Sequence, residues 1–115
     1  MSAQAVKQLE EAHVAIWNEK DRTKRDSLMA TVYSDKIKMY DKDFILTGIK
    51  EISDFIDKLL SQDPDFHFAP AKSMDSSQNS ARLFWTIKTG SNNLTGMDFF
   101  ILEDDLVLHL YVYMD

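Results

Sequence analysis

The chain has no cysteine, two prolines and three glycines among its 115 residues. Without thiols there is no disulfide framework, no thiol nucleophile and no thiolate metal site, and such a sequence suits a reducing compartment. Three glycines are too few for the Gly-rich loops that cradle phosphates or dinucleotides. No apolar run approaches the ~18 residues that a spanning helix needs. The start, Met1-Ser2-Ala3-Gln4-Ala5, has neither the basic region nor the apolar stretch of a secretory signal. A cytoplasmic protein without a membrane partner is expected. Basic charge is also scarce: 13 Lys and Arg stand against 19 Asp and Glu, for a net charge of −6. After residue 58 the only basic side chains are Lys72, Arg82 and Lys88. Nucleic acid is held through phosphate neutralisation, which needs a basic patch. The best cluster, Lys20, Arg22, Lys24 and Arg25, is interleaved with Glu19, Asp21 and Asp26 and reads as a solvated helix junction. No nucleic-acid partner is expected.

What is present suits a packed core. Hydrophobic residues make up 44% of the chain and aromatics 11%, which argues against disorder and for one domain over 1–115. Val6, Leu9, His13, Ile16 and Trp17 recur at steps of three and four, so residues 3–20 read as an amphipathic helix. Asp21 can cap a second helix over 22–33, with Thr23 and Asp26 spaced as a capping box. Lys36 to Tyr40 alternates as a half-buried strand, and a short extended piece follows at Phe44-Ile45-Leu46. Ile49, Ile52, Phe55, Ile56, Leu59 and Leu60 return to helical spacing over 48–62, stopped by Pro64. Beyond it lie strands: a run carrying Phe66, Phe68 and Met74, a turn at 76–79, a strand at 81–88, a turn at 89–93, and strands at 94–102 and 106–114. Segregated helices and consecutive strands predict an α+β fold with a mostly antiparallel sheet. The last two strands are apolar on both faces. One face is expected on the helices and the other on a second subunit, with Met97, Phe99, Tyr111 and Tyr113 as contacts.

Three polar residues interrupt these patterns. His13 lies in the apolar stripe of the first helix, Asp98 breaks the apolar strand around it, and Asp41 closes the strand ending Met39-Tyr40. A carboxylate in an apolar strand either finds hydrogen-bond donors or stays protonated, and such groups gather at functional sites. The structural alternative for Asp98 is a bond to Arg82, Trp85 or His13. For His13 it is a satisfied core histidine, and for Asp41 a turn. His13, His67 and His109 show no metal-ligand spacing, so no metal is expected. The aromatics Trp17, Tyr33, Tyr40, Phe44, Phe55, Phe84, Trp85 and Phe100 are core by default, and together they could line an apolar pocket.

The run Ile16-Trp17-Asn18-Glu19-Lys20-Asp21, then Tyr33-Ser34-Asp35, Tyr40-Asp41 and Gly48-Ile49-Lys50-Glu51-Ile52 resembles the nuclear transport factor 2-like superfamily. Arg82-Leu83-Phe84-Trp85, Thr95-Gly96-Met97-Asp98-Phe99 and Tyr113-Met114-Asp115 resemble its SnoaL-like, polyketide cyclase-like branch. The resemblance implies a cone-shaped fold of three helices in the N-terminal half, packed on a strongly bent, mostly antiparallel sheet. It also implies an internal pocket and a homodimer through the sheet. Asp41 matches the general base of the ketosteroid isomerases and Asp98 their oxyanion-binding acid, whereas their helical tyrosine falls on His13. In the SnoaL-like cyclases Asp98 matches the acid/base aspartate. The epoxide hydrolase pattern of paired acids and an arginine is met only in part, by Asp98 and Arg82. The implied site is therefore Asp98, Asp41 and His13, with Trp17, Tyr33, Tyr40, Phe44, Phe55, Arg82, Phe84, Trp85 and Phe100 as walls. Its implied ligand is a small apolar or carbonyl compound. Without metal or organic cofactor, an isomerase, cyclase or dehydratase would move a proton α to the carbonyl through Asp41 or Asp98, with His13 and a protonated acid on the enolate oxygen. The alternative is a non-catalytic ligand-binding or dimeric interaction module of the same fold.

Overall fold

A computed structural model describes residues 1–115. The elements run α1 (Ala3–Asn18), α2 (Arg22–Val32), β1 (Tyr33–Tyr40), β2 (Ile45–Thr47), α3 (Gly48–Gln62), β3 (His67–Pro70), β4 (Asp75–Ser77), β5 (Ser80–Lys88), β6 (Asn93–Glu103) and β7 (Leu106–Met114). The first two helices begin at residues whose side chains cap a free backbone N–H, whereas the N-cap of α3, Thr47, makes no such bond. Ser2 accepts from the Ala5 amide at 3.0 Å, and Asp21 from the Lys24 amide at 3.0 Å. Asp26 does not complete a capping box, because it bonds Arg22 and Ser53 instead. The helices bury the faces their spacing marks: Leu9, His13, Ile16 and Trp17 from α1, and Ile52 and Ile56 from α3. Each of those two isoleucines contributes about 1.5–3 kcal/mol by leaving water.

The basic cluster of α2 is not simply a solvated surface. Arg25 is fully buried. Its guanidinium donates to the Ser53 hydroxyl at 3.0 Å, to the carbonyls of Glu19 (2.6 Å) and Ser53 (3.3 Å), and to Asp57. Arg22 ties Asp26, Asp54 and Asp57 together beside it. A buried guanidinium is tolerable only when its N–H groups are met in this way, so Arg25 pins α2 to α3.

The seven-stranded sheet has the order β2-β1-β7-β6-β5-β3, with β4 also paired to β5. All pairings are antiparallel except β1 with β7. The chain crosses from β1 to the far edge through α3 and returns by two hairpins, which lays β7 beside β1 in the same direction. The sheet therefore extends beyond residues 66–114 to include β1 and β2. Residues 66–79 form two short strands rather than one run. Asp104 and Asp105, with φ of 53° and 64°, make the tight turn between β6 and β7. The sheet curls around the three helices as an open cone, with Ala81, Leu83, Trp85, Asp98, Phe100 and Leu110 buried beneath it.

Candidate functional site

Strand alternation decides which side chains reach the interior. On β5 the odd positions Ala81, Leu83 and Trp85 are buried, and on β6 the even positions Gly96, Asp98 and Phe100. Asp98 therefore points into the cone, where α1 delivers His13. His13 Nε2 lies 2.8 Å from Asp98 Oδ2, and Trp85 Nε1 donates to Asp98 Oδ1 at 2.9 Å. On the other side of the imidazole, Nδ1 lies 2.6 Å from the Tyr33 hydroxyl, which also accepts from Trp17 Nε1 at 3.2 Å. The structural alternatives for Asp98 are thus met by Trp85 and His13, and not by Arg82.

The donor count assigns the protons in this chain. Indole Nε1–H can only donate, so Trp17 uses a lone pair of the Tyr33 oxygen. Burial pushes the Tyr33 hydroxyl far above its ordinary range; the Trp17 hydrogen bond opposes that and the Asp98 charge adds to it, so the phenol keeps its proton. That proton goes to His13 Nδ1, which leaves Nε2–H to donate to Asp98. The carboxylate then accepts two N–H groups, and every buried side-chain polar atom has a partner. In the reverse arrangement Asp98 donates to Nε2 and Nδ1–H donates to Tyr33, and the phenolic proton has nowhere to go. The arrangement that satisfies every group therefore has His13 donating from Nε2 and Asp98 accepting on both oxygens.

Asp98 also forms part of the wall of an apolar cavity of about 210 Å³ that opens at one end of the cone. Trp17, Phe55, Phe68 and Trp85 line it inside, and Met39, Leu59, Ile87 and Val112 carry the lining outward. Asp41, Gln62, Asp63 and Thr89 stand nearer solvent. Trp85 reaches Asp98 because its cross-strand partner is Gly96. A Cβ at residue 96 would lie 2.4 Å from the Trp85 ring.

The expected site residues separate into groups. Asp98, Asp41, Trp17, Phe55 and Trp85 are walls of the cavity. Asp41 is also the turn former of the alternative reading, since its Oδ1 accepts from the Asp43 amide at 3.1 Å. His13, Tyr33 and Phe100 are fully buried behind the cavity, with the Phe100 ring edge-on to His13 at 4.7 Å. His13 cannot reach an enolate in the cavity, because Tyr33 and Asp98 occupy both its nitrogens. Tyr40, Arg82 and Phe84 are corrected to the outer face, because they have the opposite parity to Met39 and Trp85 on the same strands. There Tyr40 stacks on Tyr111 at 4.4 Å and bonds His109 Nδ1 at 2.9 Å. Arg82 pairs with Asp75 at 2.9 Å, and Lys72 sits over the Phe84 ring at 4.4 Å. Phe44 lies in the β1–β2 turn, exposed, with its ring 5.2 Å from Phe55. The sequence reading missed Asp63, Phe66 and Phe68, which the segment after α3 brings to the cavity. It also missed Ile87, although Ile87 shares the parity of Trp85.

No protein-family model matches the chain, and no curated protein does either. Solved structures match closely in shape. A SnoaL-like family protein from Agrobacterium tumefaciens superposes with a TM-score of 0.88 at 20% identity, covering 97% of this chain and 98% of that one. A protein from Jannaschia that is suggested to be a SnoaL-like polyketide cyclase gives 0.78 at 10% identity, covering 100% and 90%. A de novo designed protein with a curved β-sheet gives 0.79 at 11% identity, covering 100% and 88%. That a designed chain matches as well as a natural one marks the likeness as one of architecture. The chain has the fold that these SnoaL-like structures share with nuclear transport factor 2-like proteins.

Proposed function

We propose that the protein binds a small, mainly apolar molecule in the cavity and moves a proton at it through Asp98. The observation that carries this reading is a carboxylate, 3% exposed, held by two N–H donors in the wall of a mainly apolar cavity. Its two inner hydrogen bonds come from His13 and Trp85, which hold its orientation and leave a lone pair on each oxygen for a ligand. With a carbonyl compound, Asp98 takes a proton from the carbon beside the carbonyl and returns it at another carbon, so no cofactor is consumed. Of the wall side chains that carry N–H or O–H, Trp17, Trp85 and Thr89 already donate within the protein. The Gln62 amide is left to meet the developing oxyanion, with Asp41 as a second carboxylate at the rim. The Agrobacterium structure of the same fold, which is suggested to be an isomerase, supports the reaction class as an analogy. An apolar ligand library screened by thermal shift should raise the melting midpoint, because binding to the folded state alone stabilises it. Asp98→Asn sets an amide N–H against His13 Nε2–H or Trp85 Nε1–H, so it should lower the melting midpoint while the protein stays folded at about 25 °C. It should also lose turnover by at least ~100-fold, as expected for removal of a general base. Turnover that survives in Asp98→Asn would overturn the catalytic reading. Stabilisation of both forms by the same compounds without any turnover would favour the ligand-binding module.

The same proposal includes a homodimer through the outer sheet face. Met97, Phe99, Tyr111 and Tyr113 project from it, Tyr113 with 58% of its surface exposed, and no helix covers them. A second copy is the occupant that satisfies an apolar face of this shape by two-fold symmetry. Light scattering should give twice the 13.3 kDa chain mass at micromolar concentration, and Tyr111→Glu should return a monomer. A wild-type monomer would refute it.

A further inference from the structure

The chemistry of the cavity wall selects the charge of what can enter. Its sixteen lining residues include three carboxylates, Asp41, Asp63 and Asp98, and no Lys, Arg or His. None of the three has a Lys or Arg partner. Asp41 and Asp63 each use Oδ1 to accept a backbone amide two residues on, from Asp43 (3.1 Å) and Asp65 (3.0 Å), and each leaves Oδ2 without a protein partner. Asp63 is also the C-cap of α3, whose last turn carries no basic residue, so the negative end of the helix dipole adds to the same field. Three exposed lysines surround the mouth, Lys20 with its Nζ donating to the Pro64 carbonyl at 3.4 Å, and Lys42 and Lys88 next to Asp41 and Thr89 in the chain; none is a wall of the cavity. The low dielectric of aromatic walls strengthens this field. The acids alone would be a solvated cluster; the cavity makes them a site, because Trp17, Phe55, Phe66 and Trp85 offer ring surface to an apolar body and to a cation.

Resting on the reading of this cavity as a ligand site, we propose that its ligand carries a positively charged amine. The ammonium sits at the mouth in the field of Asp41, Asp63 and the end of α3, and the apolar body lies inward toward Asp98. Carboxylates and phosphate esters are rejected, because an anion would meet three carboxylates and no compensating cation.

Matched amine, alcohol and carboxylate triplets on phenylethyl, cyclohexylmethyl and hexyl skeletons test this by calorimetry at pH 7. In at least one triplet the amine should bind about tenfold or more tightly than the alcohol, and the carboxylate should be weakest. The amine's advantage should shrink with added salt. The double variant Asp41→Asn, Asp63→Asn keeps both backbone-accepting oxygens and should bring the amine down to the level of the alcohol. Alcohols that bind as well as their amines would overturn the charge inference and leave the cavity reading standing. Carboxylates that bind best would do the same. If no member of any triplet binds, the cavity reading and the inference fall together.

Discussion

Replacing Tyr33 by Phe removes one oxygen atom from the core and strands two groups at once. Trp17 Nε1–H, 3.2 Å from that oxygen, loses its acceptor, and His13 Nδ1, 2.6 Å away, loses its donor. Both lie beyond the reach of bulk water, since His13 is fully buried and Trp17 is 6% exposed. A buried polar group left unpaired costs about 1–3 kcal/mol, so the pair should cost ~2–5 kcal/mol of stability. Such a loss lowers the melting midpoint of a domain this small by ~10 °C or more. Urea unfolding should show the loss as a lower midpoint at unchanged slope, because the surface exposed on unfolding hardly changes. The substitution also tests the proton assignment. In the wild-type protein, nitrogen NMR of His13 should report a neutral ring protonated at Nε2. In Tyr33→Phe the Nδ1 constraint is gone, and that signature should change or exchange. A stability loss below ~1 kcal/mol, or a wild-type ring protonated at Nδ1, would refute the reasoning.

Gly96→Ala places a Cβ 2.4 Å from both the Trp85 ring and the Tyr113 carbonyl. The indole must move off Asp98, so tryptophan fluorescence should shift and stability should fall by about 1–3 kcal/mol, the usual cost of overpacking. Unchanged emission and unfolding would show that Trp85 does not depend on this opening. Acid stability rests on the α2–α3 network. Burial pushes Asp57 and Asp26 upward, but the Arg25 and Arg22 hydrogen bonds on Asp57, and those of Ser53 and Arg22 on Asp26, leave both carboxyls below the ordinary carboxylate range. Groups depressed in the folded state contribute stability that is present above the unfolded value and is lost as pH falls through the folded one. Unfolding by acid should therefore begin below about pH 4, and Arg22→Gln should move its onset upward. An onset unchanged in Arg22→Gln would remove this network from the account.

The amino-acid pattern alone determined the elements and the two unusual residues. Apolar spacing of three and four set α1 and α3, Asp21 marked the start of α2, and Pro64 the end of α3, because these are local consequences of backbone geometry. Asp98 and His13 stood out because each places a polar group where desolvation penalises it. The tertiary structure decided what each of them meets. The outer-face residues Arg82 and Phe84 could have been separated from Trp85 by strand parity alone. Which parity faces inward was hidden, since both faces of β6 and β7 are apolar. The parallel pairing of β1 with β7 comes from closing the sheet over a long excursion of the chain, which leaves no local mark. The role of Tyr33 was hidden for the same reason: its partners, Trp17 and His13, come from another element, sixteen and twenty residues away. Periodicity shows that a side chain is buried, but the proton it holds depends on which donors and acceptors the packing brings within 3 Å.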